Sequence, residues 1–225
     1  MESLPFYIDI IFGLTTILTV YLFYLASDKS TLTLLILLAW LILQGLIARS
    51  GFYTVTDQLP PRFTLLTLPP LLLIIVLFLT SEGKQYIDRL NIKFLTLLHI
   101  IRIPVELVLF WLFIYKMVPQ LMTFEGRNFD ILSGLSAPII YYFSFIKRNM
   151  SRKVMLLWNF ICLALLINIA ANAALSAPFP IQKFAFDQPN IAVLYFPFVW
   201  LPGCVVPLVL FSHLASIRQL LKVHA

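Results

Sequence analysis

The sequence predicts an all-α, polytopic integral membrane protein with seven transmembrane helices. Of its 225 residues, 61% are hydrophobic and only 12% are charged, and the mean hydropathy is +0.95. A stretch of about 20 apolar residues is long enough to cross a hydrocarbon core about 30 Å thick. Seven such stretches occur, at about 5–25, 31–48, 63–80, 94–117, 131–146, 154–175 and 191–217. They make residues 1–225 a single seven-helix domain.

The connections between these stretches are too short to fold as a second domain. None exceeds about 15 residues, so there is no room for a soluble catalytic domain or a nucleic-acid-binding domain. The net charge of +6 is therefore interpreted against the membrane surface. The lipid bilayer is the expected partner, and no nucleic acid is expected.

The distribution of Lys and Arg predicts the orientation in the membrane. The first, third and fifth connections and the C-terminal tail carry ten of these residues, whereas the opposite side carries five. Basic residues near the ends of spans concentrate on the cytoplasmic side. We therefore expect the N-terminus outside and the C-terminus in the cytoplasm, in a cytoplasmic-type or plasma membrane.

The fourth span carries three ionisable side chains on one face. His99, Arg102 and Glu106 fall within roughly 60° of one another on a helix that turns about 100° per residue. A charge inside a bilayer costs about 2.5–3.5 kcal/mol on insertion scales, so such residues face the interior of a bundle or a wet cavity. We expect Glu106 to be buried beside Arg102 as its ion-pair partner. The pair can serve function or structure alone.

Other polar or aromatic residues within spans extend this face into a candidate ligand or ion pathway. The additional members are Asn168, Asn172, His213 and Trp200. Helix rise places His99 and His213 at a similar depth and Asn168 near Glu106. Asn159 falls on roughly the opposite face of its helix from Asn168. For Asn168 and Trp200, a packing role is the alternative.

Three acidic residues lie in the predicted outer connections. Asp130 precedes the fifth span, and Asp187 precedes the seventh, where Asn190 is the alternative N-cap. Because short acidic side chains favour helix starts, capping is the preferred interpretation for Glu125, Asp130 and Asp187. Lining an entrance or binding a cation is the alternative. Proline, glycine and aromatic residues in these connections predict ordered segments that pack together.

The motifs of several membrane chemistries are missing from the sequence. It contains no His-Glu-x-x-His zinc motif and no Gly-x-Ser-x-Gly nucleophile elbow. We expect no metal site, no cofactor and no identified catalytic residue. His99 and His213 leave one alternative open, the ligation of a haem from two helices.

Three classes of function fit these features. The leading expectation is transport of a small solute or of protons through a polar interior, with Glu106 as the protonatable group. The second is a receptor-like or accessory membrane subunit that binds a ligand or partner under the outer connections. The third is a membrane-embedded enzyme that acts on a lipid-like substrate, with His99 and Glu106 as the acid–base pair. The balance leans against an enzyme.

Overall fold

A computed structural model describes residues 4–222, in which nine α-helices are joined by 3₁₀ turns, π-helical segments and irregular connections. No strand occurs in this range, which confirms the all-α prediction. The α-helices are α1 (Phe6–Ala26), α2 (Thr31–Arg49), α3 (Thr64–Leu79), α4 (Ser81–Arg89), α5 (Ile92–Leu98), α6 (Arg102–Ile114), α7 (Ile131–Tyr141), α8 (Arg152–Ser176) and α9 (Val206–Lys222).

Five helical segments within the described residues are long and apolar enough to cross a membrane. They are Phe6–Ala26, Thr31–Arg49, Ile92–Ile114, Arg152–Ser176 and Leu201–Lys222. A sixth is possible if α3 and α4, which meet at 95°, form one bent span. Ile131–Ile146 is apolar but shorter. The predicted seventh span differs most, because its helix starts at Leu201 rather than at residue 191.

Helix breaks follow the distribution of proline and capping residues. A 3₁₀ turn, His99–Ile101, separates α5 from α6 and ends three residues before Pro104, which has no amide hydrogen to donate to the preceding turn. Thr80 caps α4 by accepting a hydrogen bond from the Gly83 amide at the sharp bend. A π-helical segment, Leu201–Val205, containing Pro202, leads into α9.

The C-terminal helix lies at the centre of the bundle. It is the most buried of the long helices and packs against α8, α5 and α4. Its C-terminal turn is tied to α4, because Arg218 and Lys222 both form ion pairs with Asp88, at 3.1 and 2.7 Å. α1 covers the other side of α5 and α6.

The connections at one end of the bundle pack against each other, as the sequence predicts. Gln188 donates hydrogen bonds to the carbonyls of Phe113 and Val118, which joins the connection after α8 to the end of α6. Phe63 and Phe179 lie with ring centroids 5.3 Å apart. These contacts give the end of the bundle an ordered cover.

Candidate functional site

The helix break at residues 99–101 presents the three ionisable residues to the interior of the bundle. His99 is 0% exposed, Arg102 2% and Glu106 1%. Their predicted common face is therefore the buried face of α5 and α6. The surrounding elements are α7, α8 and α9, together with the connection that precedes α7.

Arg102 forms its ion pair with Asp130 rather than with Glu106. Its Nη1 lies 2.8 Å from the Asp130 carboxylate and 3.3 Å from the Cys162 carbonyl oxygen. The predicted Arg102–Glu106 ion pair is wrong, because no salt bridge joins them in the described part of the chain. A cation four residues before an acid is the weaker arrangement on a helix, and Asp130 offers Arg102 a partner from another element.

His213 extends this network to α8 through a defined tautomer. Arg102 Nη2 lies 3.0 Å from His213 Nε2, and a guanidinium can only donate, so Nε2 is the acceptor. The other ring nitrogen, Nδ1, then carries the proton and donates to Asn159 Oδ1 at 2.9 Å. Asn159 is fixed in turn by its hydrogen bond to the Met155 carbonyl. The neutral form of His213 thus fits every contact it makes.

His99 contacts the network through its ring face. Its imidazole stacks on His213 with centroids 3.8 Å apart and planes 12° from parallel, and Trp158 meets it edge-on. Two haem ligands must approach the iron from opposite sides, and two stacked rings cannot do so. The haem alternative is therefore wrong for this arrangement.

Glu106 is held by the connection before α7. Asn128 Nδ2 donates to Glu106 Oε1 at 2.5 Å and to the Met122 carbonyl at 3.0 Å. Asn128 Oδ1 accepts from the backbone amide of Asp130 at 3.0 Å. One asparagine thus links the Glu106 carboxylate to the backbone of Asp130, and Glu106 makes its polar contact with this connection rather than with a helix.

The connection reaches this depth because residues 122–130 run down the side of α8. Met122 lies beside Ser176 near the end of α8, and the Arg127 carbonyl accepts a hydrogen bond from Asn168. Further along, Arg102 Nη1 donates both to Asp130 and to the Cys162 carbonyl of α8. These three positions on α8 span roughly 20 Å at 1.5 Å per residue. The connection therefore follows α8 from its C-terminal residue, Ser176, to Cys162 at the level of Arg102.

Helices α6 and α7 approach closely at the level of the ion pair. A Cβ atom added to Gly134 would lie 2.9 Å from Ile103 Cγ1, 3.0 Å from the Ile103 backbone nitrogen and 3.2 Å from Arg102 Cβ. Only glycine fits at this contact without a shift of α6. Gly134 therefore sets the distance between α7 and Arg102.

The site elements lie within a region shared with other proteins. A family model described as Domain of unknown function (DUF8737) matches residues 59–221. The chain belongs to this family. The match includes α3 to α9 and hence all the residues of the cluster. Neither a curated protein nor a solved structure matches the chain.

Four polar atoms in the cluster have no hydrogen-bond partner among the described residues. They are Nδ1 and Nε2 of His99, Nε of Arg102 and Oε2 of Glu106. Buried atoms of this kind are few in native proteins, and each requires a specific explanation, such as a catalytic role or a bound water or ion. Here they lie together among five buried ionisable side chains, namely His99, Arg102, Glu106, Asp130 and His213.

Several candidate residues lie outside the cluster. Asn168 is exposed, donates to the Arg127 carbonyl and accepts from the buried Asn172, so these bonds fasten α8 to the connection that precedes α7. Trp200 donates to the Leu41 carbonyl, while Trp40 donates to the Gly203 carbonyl. This pair of indoles fastens α2 to the start of the last helix.

The predicted capping roles of the acidic residues are also corrected. Asp130 occupies the N-cap position of α7, but its side chain makes no capping hydrogen bond and turns to Arg102 instead. No long helix begins after Asp187 or Asn190, because residues 191–200 form only a 3₁₀ turn and irregular backbone. Glu125 and Asp187 are exposed.

Two asparagines that orient the cluster, Asn159 and Asn128, are not among the site residues that the sequence predicts. Asn159 is on the face of α8 opposite Asn168, and it is this face that turns inward. Asn128 lies in a connection between helices, where no helical periodicity marks a buried face. The structure buries Asn128 and Asp130 and exposes Arg127 and Phe129, an alternation that the residue types alone do not indicate.

Proposed function

We propose that the protein spans a membrane seven times and moves protons, or a small solute coupled to protons, through the interior of its bundle. The seven proposed spans are the five long segments, α3 with its bend into α4, and Ile131–Ile146. The observation that carries the proposal is the contact between titratable side chains in the apolar core. Intramembrane ionisable residues normally mark ion or proton pathways.

In this proposal Glu106 is the group that takes up and releases the proton. Its Oε1 is occupied by Asn128, whereas Oε2 has no partner among the described residues and can bind a proton. The Arg102–Asp130 ion pair supplies a fixed charge pair beside it. His99, with both ring nitrogens unengaged, is the next proton acceptor along α5.

The route continues along α9 toward the end formed by α4. Ser216 lies one turn beyond His213 on the same face, is buried, and has no side-chain partner within residues 4–222. Gln219 follows at the next turn and donates to the carbonyls of Ile87 and Leu90. Polar groups thus follow one another from the His99–His213 stack to the α4 end of the bundle.

Reconstitution into liposomes tests the proposal. With a pH-sensitive dye inside the vesicles, the wild-type chain should move protons faster than protein-free vesicles do after an imposed pH step. Glu106→Gln keeps an acceptor oxygen for Asn128 but cannot ionise, so its flux should fall to the protein-free rate. Glu82→Gln, which removes an exposed carboxylate at the start of α4, is the matched control and should keep the wild-type flux.

Two results would contradict the proposal. The first is a proton flux through the wild-type protein that is no faster than in empty vesicles, both after a pH step alone and in the presence of a panel of small solutes. The other is undiminished flux in a correctly folded Glu106→Gln protein.

The proposed orientation places the N-terminus outside, in accord with the asymmetry of Lys and Arg. Tags at the two ends of the chain should therefore respond differently to protease added to intact cells. The N-terminal tag should be digested and the C-terminal tag protected. The reverse pattern would overturn the orientation and the direction of the route along α9.

A further inference from the structure

A large apolar cavity lies on the other side of α9 from the ionisable cluster. Its volume is about 610 Å³, and it is bounded by α2, α3 and one face of α9. α9 presents Pro207, Leu208 and Phe211 to the cavity, and the π-helical segment before it adds Cys204, whereas His213 faces the cluster. The cavity and the proposed proton site are therefore separate.

The cavity opens sideways between two helices that scarcely touch. α2 and α3 each pack against the π-helical segment before α9 rather than against each other. Trp40 holds α2 in this position through its hydrogen bond to the Gly203 carbonyl at 2.8 Å. The gap between the two helices thus faces whatever surrounds the bundle at mid-height.

The lining gives a polar ligand almost nothing to bind. The Gly203 carbonyl in the lining already accepts a hydrogen bond from Trp40. The hydroxyl groups of the lining belong to Thr33 and Tyr86. These lie 3.2 Å apart in a hydrogen bond that joins α2 to α4 at one end of the cavity. The remaining side chains are aliphatic, aromatic or proline, apart from Cys204, so the lining selects an apolar molecule.

The dimensions indicate which apolar molecule fits. On α2 the lining extends from Leu32 to Leu43, a length of about 16 Å at 1.5 Å per residue. This is the depth of one leaflet of a hydrocarbon core about 30 Å thick. The end with Tyr86 lies on α4, a short helix turned 95° from α3 that carries charged residues on one side, as helices at a membrane surface do.

We propose that this cavity binds one acyl chain of a membrane phospholipid, from the leaflet in which Thr33 and Tyr86 lie. The proposal rests on the membrane placement given above. The headgroup lies at the level of Tyr86, and the chain runs inward past Ile74 toward Trp40. A bound chain fills the gap between α2 and α3 and keeps the two helices at their observed separation.

A helix from a second copy of the chain fits less well. A spanning helix needs about 30 Å of contact, and helix interfaces in membranes are rich in small residues. Here Trp40, Leu43 and Pro69 form the boundary with a second cavity of about 380 Å³, whose lining includes Gln44 and Tyr53. These bulky residues, and the change from an apolar lining to one that contains polar side chains, divide the groove at mid-height.

Photolabelling of the full-length chain tests the assignment. The protein is reconstituted in phosphatidylcholine vesicles in which a fraction of the lipid carries a diazirine in one acyl chain, and labelled peptides are mapped after irradiation. Labels on α2 should concentrate on Ile36, Trp40 and Leu43, which line the cavity. The opposite, equally exposed face, with Leu35, Leu38 and Ile42, should be labelled several-fold less.

Two neighbouring substitutions provide the matched comparison. Ala39 lines the cavity mouth, so Ala39→Phe should reduce cavity labelling several-fold by occupying its space. Leu38 is exposed but does not line the cavity, so Leu38→Phe should leave the labelling unchanged. A thermal unfolding curve for each variant establishes that both are folded.

Equal labelling of the two faces of α2 would overturn the acyl-chain site while leaving the membrane placement intact. The acyl-chain site would also be overturned if the cavity residues remained unlabelled and α2 instead cross-linked to α2 of a second copy. That result would assign the groove to self-association.

Discussion

Asp130→Asn is expected to destabilise the protein by about 3–5 kcal/mol, because it leaves the buried charge of Arg102 without compensation. Arg102→Gln should have a comparable effect, since the buried Asp130 carboxylate then loses the cation with which it pairs. The measurement is the unfolding free energy in detergent micelles, taken from denaturant titrations that monitor tryptophan fluorescence.

The combined variant, Arg102→Gln with Asp130→Asn, should lose much less stability than the sum of the two single changes. Such coupling is the signature of a direct pair. The exposed counterpart is the pair of Arg218 with Asp88, whose side chains are 27% and 21% exposed. The same cycle there should give a coupling of about 0–1 kcal/mol.

The cycle also distinguishes the two possible partners of Arg102. Combining Arg102→Gln with Glu106→Gln should recover less stability than combining it with Asp130→Asn. Stronger coupling to Glu106 would restore the pairing that helical spacing predicts and would contradict the observed ion pair.

Gly134→Ala is expected to cost about 1–3 kcal/mol through overpacking. The added methyl group would meet both the side chain and the backbone nitrogen of Ile103, at 2.9 and 3.0 Å, and backbone cannot move aside as a flexible side chain does. Thermal unfolding in detergent measures the loss. Because Arg102 Cβ lies 3.2 Å from the same position, the change should also displace the ion pair.

Gly13→Ala is the matched control within α1. Beyond the adjoining backbone of α1, no atom of residues 4–222 lies within 4 Å of a Cβ added there, and alanine is favoured over glycine inside a helix by about 1 kcal/mol. Its stability should equal or exceed that of the wild type. Equal losses in both variants would show that the approach of α7 to α6 is not the cause.

The sequence predicts the helices and the buried face well, because both depend on local properties. Hydropathy locates every long segment, and the spacing of His99, Arg102 and Glu106 identifies their common face. Which groups meet that face depends on contacts distant in sequence. Asp130 reaches Arg102 only because residues 122–130 fold into the bundle, and nothing local to that connection indicates this.

The inward face of α8 illustrates a second limit. Apolar residues surround this helix on all sides, so periodicity does not distinguish Asn159, which bonds His213, from exposed Asn168. The late start of the last helix has a local cause. Pro189 and Pro197 lack amide hydrogens, and residues 191–200 therefore remain irregular although they are as apolar as a span.

The short length of the fifth span, Ile131–Ile146, has a consequence for biogenesis on the proposed membrane placement. Ile131–Ile146 measures about 24 Å, less than the hydrocarbon core, and polar backbone around Asn128 and Asp130 completes its crossing. If a translocon released this segment into lipid before Arg152–Ser176 had been synthesised, that backbone would face hydrocarbon alone. The helices on either side of residue 130 should therefore integrate stably into the membrane only together with α8. At this point of the chain, the order of membrane entry differs from the order of synthesis.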